Sequence, residues 1–327
     1  MTFYYIRILR LQEKLEESFK YALRVVFTIT SDLGEVSYPQ DATVRVEALD
    51  RQQSHSRITI SKQCVSWIGN GHAAETTLYF PASHQQIQLT LHLENQNSIV
   101  DSIHINADTV LPVWSEAFSP KSTLPNMVWR YIQGPEKKSP NDGLWFLEQM
   151  GNSIAKHLWD AGVVFSKKIL SDDWHYSFSN RKDINVLELG SGCGIVGISI
   201  ASKYPRALVS MTDTEDAIEF MEKNVEKNKS AMSNNITSDI LVWGHDIPRK
   251  FRRHWDYIVM SDVMYNESSF SDLEASLQEL MDKNTKLYIA YKKRHDNEKT
   301  FMSNILGWLD LVYEERGPIT IYILQKK

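Results

Sequence analysis

The sequence is poor in cysteine and contains no long apolar run. Its two cysteines, Cys64 and Cys193, lie far apart, so we expect no disulfide framework and a reducing compartment. No apolar stretch approaches the roughly 20 residues that cross a bilayer, so no membrane association is expected. The N-terminus carries Arg7 and Arg10 among apolar residues and lacks a small-residue cleavage pattern, which argues against a secretory signal. We therefore predict a cytoplasmic protein, with the nucleus as the alternative location.

An excess of positive charge and the usual metal-ligand spacings are also missing. The formal net charge is −5, whereas a protein that lives on nucleic acid usually has a basic surface, so the balance favours a basic protein as the partner. The ten histidines show no HxxxH or paired Cys/His spacing, and no metal site is predicted. Two basic runs, at 249–254 and 292–294, are interpreted as solvated loops, although the first could contact RNA.

Residues 1–118 are predicted to form a β-rich accessory domain. Apolar and polar residues alternate over Ile87–Leu93, as in a half-buried strand, and shorter runs repeat the pattern at 25–29, 44–46, 58–60 and 103–105. One helix is predicted over 12–22. No reactive side chains gather in this region, so we expect a structural or substrate-docking role.

A linker is predicted next, over residues 119–142, which contain four prolines among small and polar residues. After the linker, apolar residues spaced 3, 4 and 4 apart predict a helix that would carry the aromatic residue Trp145 near its start; they are Leu147, Met150, Ile154 and Leu158.

The remainder, 143–327, alternates between strand and helix patterns. Apolar runs predict strands at 186–189, 208–211, 257–260, 287–290 and 319–324, and further patterns predict helices at 194–203, 215–228 and 273–281. Such βα units close as a doubly wound, mostly parallel sheet, so we predict a Rossmann-like α/β domain.

A glycine loop lies between the first strand and helix of this alternation. Gly190, Gly192 and Gly194 let the backbone turn sharply, and the following helix points its free N–H groups at any ligand in the loop. The glycines alone fit a dinucleotide, S-adenosylmethionine, or a tight turn without a ligand. Glu188 is unsuited to a pyrophosphate and favours S-adenosylmethionine, while Asp213 ends the second strand, where an acid accepts ribose hydroxyls.

Several runs of this domain occur together in one known family. They are Gly-Leu-Trp at 143–145, Val-Leu-Glu-Leu-Gly-Ser-Gly at 186–192, Met-Thr-Asp at 211–213, Val-Trp-Gly at 242–244 and Ser-Asp-Val-Met-Tyr at 261–265. From about Asn141 onward the chain resembles the seven-β-strand protein-lysine methyltransferases of the methyltransferase-like protein 21 group, whose hallmark is the Asp-x-x-Tyr of the last run. The resemblance implies an S-adenosylmethionine-dependent enzyme that methylates lysine in a translation factor or a chaperone. We expect a monomer.

The resemblance also implies roles for individual residues. The cofactor would contact Trp145, Glu188, Gly190, Ser191, Gly192, Asp213, Trp243 and Ser261. Asp262 would accept a hydrogen bond from the incoming lysine amine, and Tyr265 would wall its channel. A lysine of pKa near 10.4 is almost fully protonated at pH 7, so the nearby sulfonium and partial burial would favour the neutral amine. Alternatively, Asp262 caps the segment that follows it.

Two other functions stay open at this point. An enzyme that methylates the exocyclic amine of a nucleic-acid base would favour Asp/Asn-Pro-Pro-Tyr/Phe at this strand end, and here Val263 and Met264 replace the prolines. A non-catalytic methyltransferase-fold scaffold would have no chemical need for Glu188, the glycine loop or Asp262.

Overall fold

The computed structural model describes residues 3–15, 20–52, 58–95, 109–120, 122–132, 143–150, 156–172, 174–176, 178, 183–232 and 235–327. The chain divides into two compact units, Met1–Ile154 and Ala155–Lys327. Each unit contains a hydrophobic cluster of buried residues. No helix in the described ranges combines the length and apolar character needed to span a bilayer.

The N-terminal unit is a β-sandwich. Its strands are β1 (Tyr4–Leu15), β2 (Lys20–Thr30), β3 (Ala42–Asp50), β4 (Ile58–Trp67), β5 (Ala74–Pro81), β6 (Ile87–Leu93), β7 (Val110–Leu111), β8 (Val113–Ser115), β9 (Met127–Ile132) and β10 (Leu144–Gln149). One sheet has the order β5-β2-β1-β7 and the other the order β10-β9-β8-β6-β3-β4. Phe27 from the first sheet and Val46 and Leu91 from the second belong to one buried cluster, which confirms the predicted β-rich fold.

The helix predicted over 12–22 is wrong. Residues 12–15 instead end β1 and residues 20–22 begin β2, and the two strands pair as antiparallel neighbours; residues 16–19 lie outside the described residues. Tyr21, Leu23 and Val25 are all buried, and this period of two points one face of β2 into the core. The glutamate and lysine residues of this stretch favour a helix locally, but burial of one face of β2 outweighs their propensity. The strand predicted at 103–105 lies outside the described residues.

The boundary between the two units lies at 154/155, later in the chain than the predicted boundary before residue 143. β9 lies within the predicted linker 119–142, and β10 occupies the start of the predicted helix around Leu147; the two strands pair in the six-stranded sheet. The predicted helix is therefore wrong at Leu147, which pairs with Trp129 across the two strands. Glu148, the next residue, is also buried, and its charge is paired with Arg130.

A buried arginine connects the two sheets of the sandwich. Arg130 of β9 donates from Nε to Oε2 of Glu148 in β10, at 2.6 Å. Its other nitrogens donate to the carbonyl oxygens of Ile6 in β1 at 2.9 Å and of Pro112 at 2.7 Å. Arg130 and Glu148 are only 2% and 1% exposed, so the hydrogen bonds largely replace water for both charges.

The C-terminal unit is built around a seven-stranded sheet. Its strands are β11 (Ile184–Leu189), β12 (Ala207–Asp213), β13 (Ile236–Ile240), β14 (Tyr257–Ser261), β15 (Lys286–Lys292), β16 (Leu309–Glu315) and β17 (Ile319–Lys326). The helices are α1 (Asp160–Leu170), α2 (Ile195–Lys203), α3 (Glu215–Asn228), α4 (Phe270–Leu280) and α5 (Asn297–Leu306). The strand order is β13-β12-β11-β14-β15-β17-β16, and β17 is antiparallel to both of its neighbours. The predicted Rossmann-like sheet is confirmed.

The central parallel strands β11 and β14 are buried on both faces. Val186 and Leu187 of β11, and Ile258 and Val259 of β14, are adjacent residues that point to opposite faces, and all four are fully buried, as expected for strands covered by helices on both sides. The chain runs from β11 outward to β13 and then crosses to β14 on the other side of β11. In open α/β sheets, ligands bind at this switch point, beyond the carboxyl ends of the strands.

The outer strand β16 contains a bulge. Its register with β17 passes from Leu311 opposite Leu324 to Tyr313 opposite Ile323, so Val312 is an extra residue. Leu311 and Val312 are both exposed.

We expect Arg130→Ala to destabilise the N-terminal unit by about 3–5 kcal/mol, because the change removes the cation that faces the buried Glu148 carboxylate. Urea unfolding followed by fluorescence and far-UV circular dichroism measures the effect. Arg45→Ala is the matched control, since its partner Glu94 and Arg45 itself are both solvent-accessible, and it should unfold close to the wild type. Equal midpoints for the two variants would contradict the role assigned to Arg130.

Candidate active site

The predicted site residues of the C-terminal unit lie at or just beyond the carboxyl ends of its parallel strands. The glycine loop follows β11, Asp213 ends β12, Trp243 follows β13, and Ser261 and Asp262 stand at the end of β14. These positions border the switch point between β11 and β14.

The glycine loop adopts a conformation that side chains resist. Gly190, Gly192 and Gly194 have φ values of 68°, 53° and 76°, in the left-handed region that glycine tolerates. A Cβ on Gly190 would also lie 2.6 Å from Cγ1 of Val263 and 3.1 Å from Cζ2 of Trp243. The loop backbone therefore packs directly against the turn after β14 and the indole after β13.

Ser191 ties this loop to the neighbouring strand β12. Its N–H donates to the Thr212 carbonyl at 3.0 Å, and the Thr212 N–H donates to Ser191 Oγ at 3.1 Å. Thr212 Oγ1 in turn donates to the Glu188 carbonyl at 2.6 Å. The loop is thus held by β12 on one side, independently of any ligand.

Glu188 is a buried carboxyl beneath the loop. Its Oε2 accepts a hydrogen bond from the Gly197 N–H in α2 at 3.0 Å. Burial raises the pKa of Glu188 to about 8, and the nearby Asp213 charge adds to the rise, while hydrogen bonds from Ser191 and Gly197 oppose it. Burial therefore favours the protonated form of Glu188.

Asp213 joins the glycine loop to the start of α3. Its Oδ2 accepts from the Gly192 N–H at 2.7 Å and its Oδ1 accepts from the Thr214 N–H at 2.7 Å. Burial raises the pKa of Asp213 despite these hydrogen bonds. Two acids whose ionised forms are disfavoured by burial thus lie against one loop.

Two aromatic residues, Trp243 and Tyr265, lie near the glycine loop and Asp213. Trp243 is partly buried, with its indole against Gly190. Tyr265 is 54% exposed, and its phenol pKa is raised by burial and by the charges of Asp213 and Asp216. The phenol therefore lies within electrostatic range of the acid that ends β12.

Ser261 has a buried hydroxyl at the end of β14, close to α1. Its Oγ is shielded from solvent and has no hydrogen-bond partner among the residues that the structure describes. It lies 3.4 Å from where a Cβ on Gly162 would stand. A buried hydroxyl of this kind calls for a ligand atom or a water as its partner.

Among the residues that the structure describes, Asp262 accepts hydrogen bonds from donors in two other segments, the start of α1 and the end of β15. Its Oδ1 accepts from the Lys292 N–H at 2.9 Å, and its Oδ2 accepts from the Ala161 N–H at 3.2 Å and from Arg294 Nη2 at 3.1 Å. Ala161 lies in the first turn of α1, so the carboxylate caps the start of that helix. The alternative drawn from the sequence was that Asp262 caps the segment that follows it. Its φ of 52° is also in the left-handed region.

The sequence did not indicate the partners of Asp262. The basic run 292–294 is interpreted from sequence as a solvated loop, but Lys292 Nζ pairs with Asp160 at 2.7 Å and Arg294 with Asp262. Only Lys293 of that run fits the prediction, since it pairs with the exposed Asp296. A charge run at the end of a buried strand was the available clue, because that strand, β15, is parallel to β14 and ends beside it at the same edge of the sheet.

Trp145 belongs to the N-terminal unit, in strand β10 rather than a helix. Its ring packs against Trp114 and Tyr131, with centroids 5.1 and 4.9 Å away. Its contact with the cofactor stays a prediction. Within the described ranges, no group of three or more His, Cys, Asp or Glu side chains is arranged to hold a metal ion.

Comparison with known proteins agrees with this geometry. Residues 138–308, just over half of the chain, match the family described as lysine methyltransferase. The chain belongs to the lysine methyltransferase family. It is a protein-lysine methyltransferase, as the sequence motifs predicted.

Two relatives are 28% and 29% identical to the chain over the residues that align. Protein N-lysine methyltransferase METTL21A of Mus musculus is 28% identical over 178 residues, covering 53% of this chain and 78% of the relative. EEF1A lysine methyltransferase 3 of Xenopus tropicalis is 29% identical over 144 residues, covering 44% and 60%. A solved ribosomal protein L11 methylase of Lactobacillus delbrueckii subsp. bulgaricus has a TM-score of 0.40 and 16% identity, covering 52% and 80%.

We expect Glu188→Gln to remove a pH-dependent cost from the ligand-free protein. Because burial raises the folded-state pKa of Glu188 to about 8 from its usual 4.5, the wild-type free energy of unfolding should carry a component that falls between pH 5 and 8. Urea unfolding across this range measures it. The stability difference between Glu188→Gln and wild type should shift in favour of the variant as pH rises, and level off above pH 8. Glu222→Gln, at an exposed position of α3, is the control and should parallel the wild type; parallel curves for Glu188→Gln would contradict the assignment.

Proposed function

We propose that the C-terminal unit binds S-adenosylmethionine at the glycine loop and transfers its methyl group to a lysine of a translation factor or a chaperone. The supporting observation is electrostatic. Glu188 and Asp213 lie beside the loop with pKa values raised by burial, and none of the main influences on either carboxyl is a cation. A positively charged ligand would offset this cost.

Charge also separates S-adenosylmethionine from a dinucleotide as the ligand of this loop. The sulfonium and ammonium groups of S-adenosylmethionine would favour ionised Glu188 and Asp213, whereas a pyrophosphate would add negative charge beside them. The three positive-φ glycines leave the approach to the loop free of Cβ atoms, as a closely packed nucleotide requires.

The surrounding residues fit the remaining parts of this cofactor. We assign Asp213 to the ribose hydroxyls and the Trp243 indole to the adenine. The unsatisfied hydroxyl of Ser261 is assigned to the methionyl end. Gly190, Ser191 and Gly192 would contact the cofactor through the backbone, and Glu188 would act from beneath the loop as a counter-charge.

When bound, S-adenosylmethionine supplies a methyl group that its sulfonium already activates. The task of the protein is then to align a neutral amine with that group and to exclude water. A lysine has a pKa near 10.4, and burial beside a cation favours loss of its proton. Tyr265, half-exposed near Asp213, is our candidate for the wall of the lysine channel.

A protein substrate is favoured over RNA by the pairing of the basic run 249–254. Within it, Lys250 pairs with Asp239, and Arg252 with Glu279. His254 lies 2.6 Å from Asp282. These acids reduce the positive field that a phosphate backbone would need. The Xenopus tropicalis relative is named as a lysine methyltransferase of EEF1A. We propose the same general class of substrate for this chain, which would act as a monomer in the cytoplasm or the nucleus.

Incubation of the purified chain with methyl-labelled S-adenosylmethionine and a cell lysate tests the substrate class. We expect label in protein bands that survive nuclease treatment, and mass spectrometry should place it on lysine. Gly190→Val is the inactive control, because a Cβ at this position would lie 2.6 Å from Val263 Cγ1. Label confined to nuclease-sensitive material would overturn the protein substrate.

Asp213→Ala should weaken S-adenosylmethionine binding by about 1.5–3 kcal/mol, the usual loss for charge-assisted hydrogen bonds. Isothermal titration calorimetry measures this directly. Asp310→Ala, an exposed acid of β16, should bind as the wild type does. Titration with S-adenosylhomocysteine, which lacks the sulfonium charge, should show weaker binding to the wild type. Unchanged affinity in Asp213→Ala would contradict the assigned site.

A further inference from the structure

Two ion pairs lie side by side where α1, β14 and β15 meet. Asp160 pairs with Lys292, and Asp262 pairs with Arg294. The side chains of Asp262 and Arg294 are only 5% and 10% exposed, so their attraction is screened little by water. This arrangement leaves the two oxygens of Asp262 engaged with protein donors.

The position of Arg294 is itself fixed from two directions. Its guanidinium lies over the ring of Trp159, 5.4 Å from the centroid, and Trp159 immediately precedes α1. Its backbone N–H donates to the carboxylate of Glu298 at 2.9 Å, and the His295 N–H donates to the same carboxylate at 3.3 Å. Glu298 is only 2% exposed in α5, so the loop after β15 is anchored to that helix.

Asp262 needs such support because its backbone is strained. The left-handed region is unfavourable for most residues that have a side chain, although aspartate tolerates it better than most, and such a conformation persists where the surroundings hold it. The turn at Asp262 places Val263 against Gly190 and leaves the Ser261 hydroxyl buried at the end of β14. The conformation of this turn therefore determines what the strand end presents to the reaction site.

We propose that Arg294 is a positioning residue for methyl transfer, which holds Asp262 in its left-handed turn by an ion pair braced on Trp159 and Glu298. Asp262 then acts mainly by shaping the strand end rather than by accepting the substrate amine. This inference rests on the proposed function of the same site. It adds a residue outside the Asp-x-x-Tyr motif to the machinery of the enzyme.

The effect should appear in turnover rather than in cofactor affinity. Asp213, Ser191 and Thr212 anchor the glycine loop, and none of their hydrogen bonds described above involves Arg294. In Arg294→Ala we expect kcat to fall about 10–100-fold, the scale of a misaligned reacting group, while the Kd for S-adenosylmethionine stays within about threefold. Lys293→Ala is the matched control, because Lys293 pairs only with the exposed Asp296 in the contacts described, and its kcat should equal that of the wild type.

Three further measurements separate positioning from a general loss of structure. Arg294→Lys, which keeps the charge, should retain more turnover than Arg294→Ala. Added methylguanidinium should restore part of the turnover lost in Arg294→Ala, and the same treatment should not raise the turnover of the wild type. Asp262→Asn keeps a residue that tolerates the left-handed region. The double variant with Arg294→Ala should have a kcat only slightly below that of the slower of the two single variants, because both changes break the same ion pair.

Circular dichroism and calorimetric titration with S-adenosylmethionine establish that each variant is folded and loaded before its rate is compared. Wild-type turnover in Arg294→Ala, full additivity with Asp262→Asn, or a loss of cofactor affinity that accounts for the lost rate would overturn the proposal. If the wild type itself neither binds S-adenosylmethionine nor methylates protein, the proposed function fails instead, and the two failures are distinguishable.

Discussion

The carboxylate of Asp262 joins three segments that are remote in sequence: the start of α1, the end of β14 and the end of β15. It accepts backbone N–H groups from Ala161 and Lys292 and a guanidinium N–H from Arg294. A helix N-terminus and a cation both favour a negative charge at this point, so each interaction reinforces the others. The turn that follows packs Val263 against Gly190, and the glycine loop consequently depends on the same junction.

Charge is distributed unevenly around this junction. On the α1 side, Asp160 and Asp262 each have a basic partner at hydrogen-bond distance. On the glycine-loop side, Glu188 and Asp213 have raised pKa values and are influenced mainly by burial and by neutral donors. A cationic ligand at the loop would give Glu188 and Asp213 the positive partner that Asp160 and Asp262 already have in Lys292 and Arg294. Since such a ligand binds the folded state only, it would stabilise the C-terminal unit as well.

The sequence was sufficient for the parts of the structure that local patterns determine. Alternating βα units and three closely spaced glycines predicted the Rossmann-like sheet and the loop after β11, because apolar strands buried on both faces leave a strong pattern. The helix predicted around Leu147 failed at its start, because Leu147 lies in β10 and is buried there by packing of the sheet. Lys292 and Arg294 looked like solvent-exposed charge, since their acidic partners Asp160 and Asp262 are 132 and 32 residues away. The left-handed turn at Asp262 has no sequence signature, since it is imposed by tertiary contacts.

The extra residue in β16 has a consequence for how this molecule meets its own copies. An outer strand offers unpaired N–H and C=O groups, and the exposed Leu311 and Val312 would make such an edge adhesive. The bulge at Val312 interrupts the regular spacing of those groups, and it is followed by the ion pairs of Glu314 with Arg316 and of Glu315 with Lys168. A second strand approaching β16 from outside would find neither a continuous ladder nor an uninterrupted apolar surface, so this border of the sheet is protected against intermolecular strand addition.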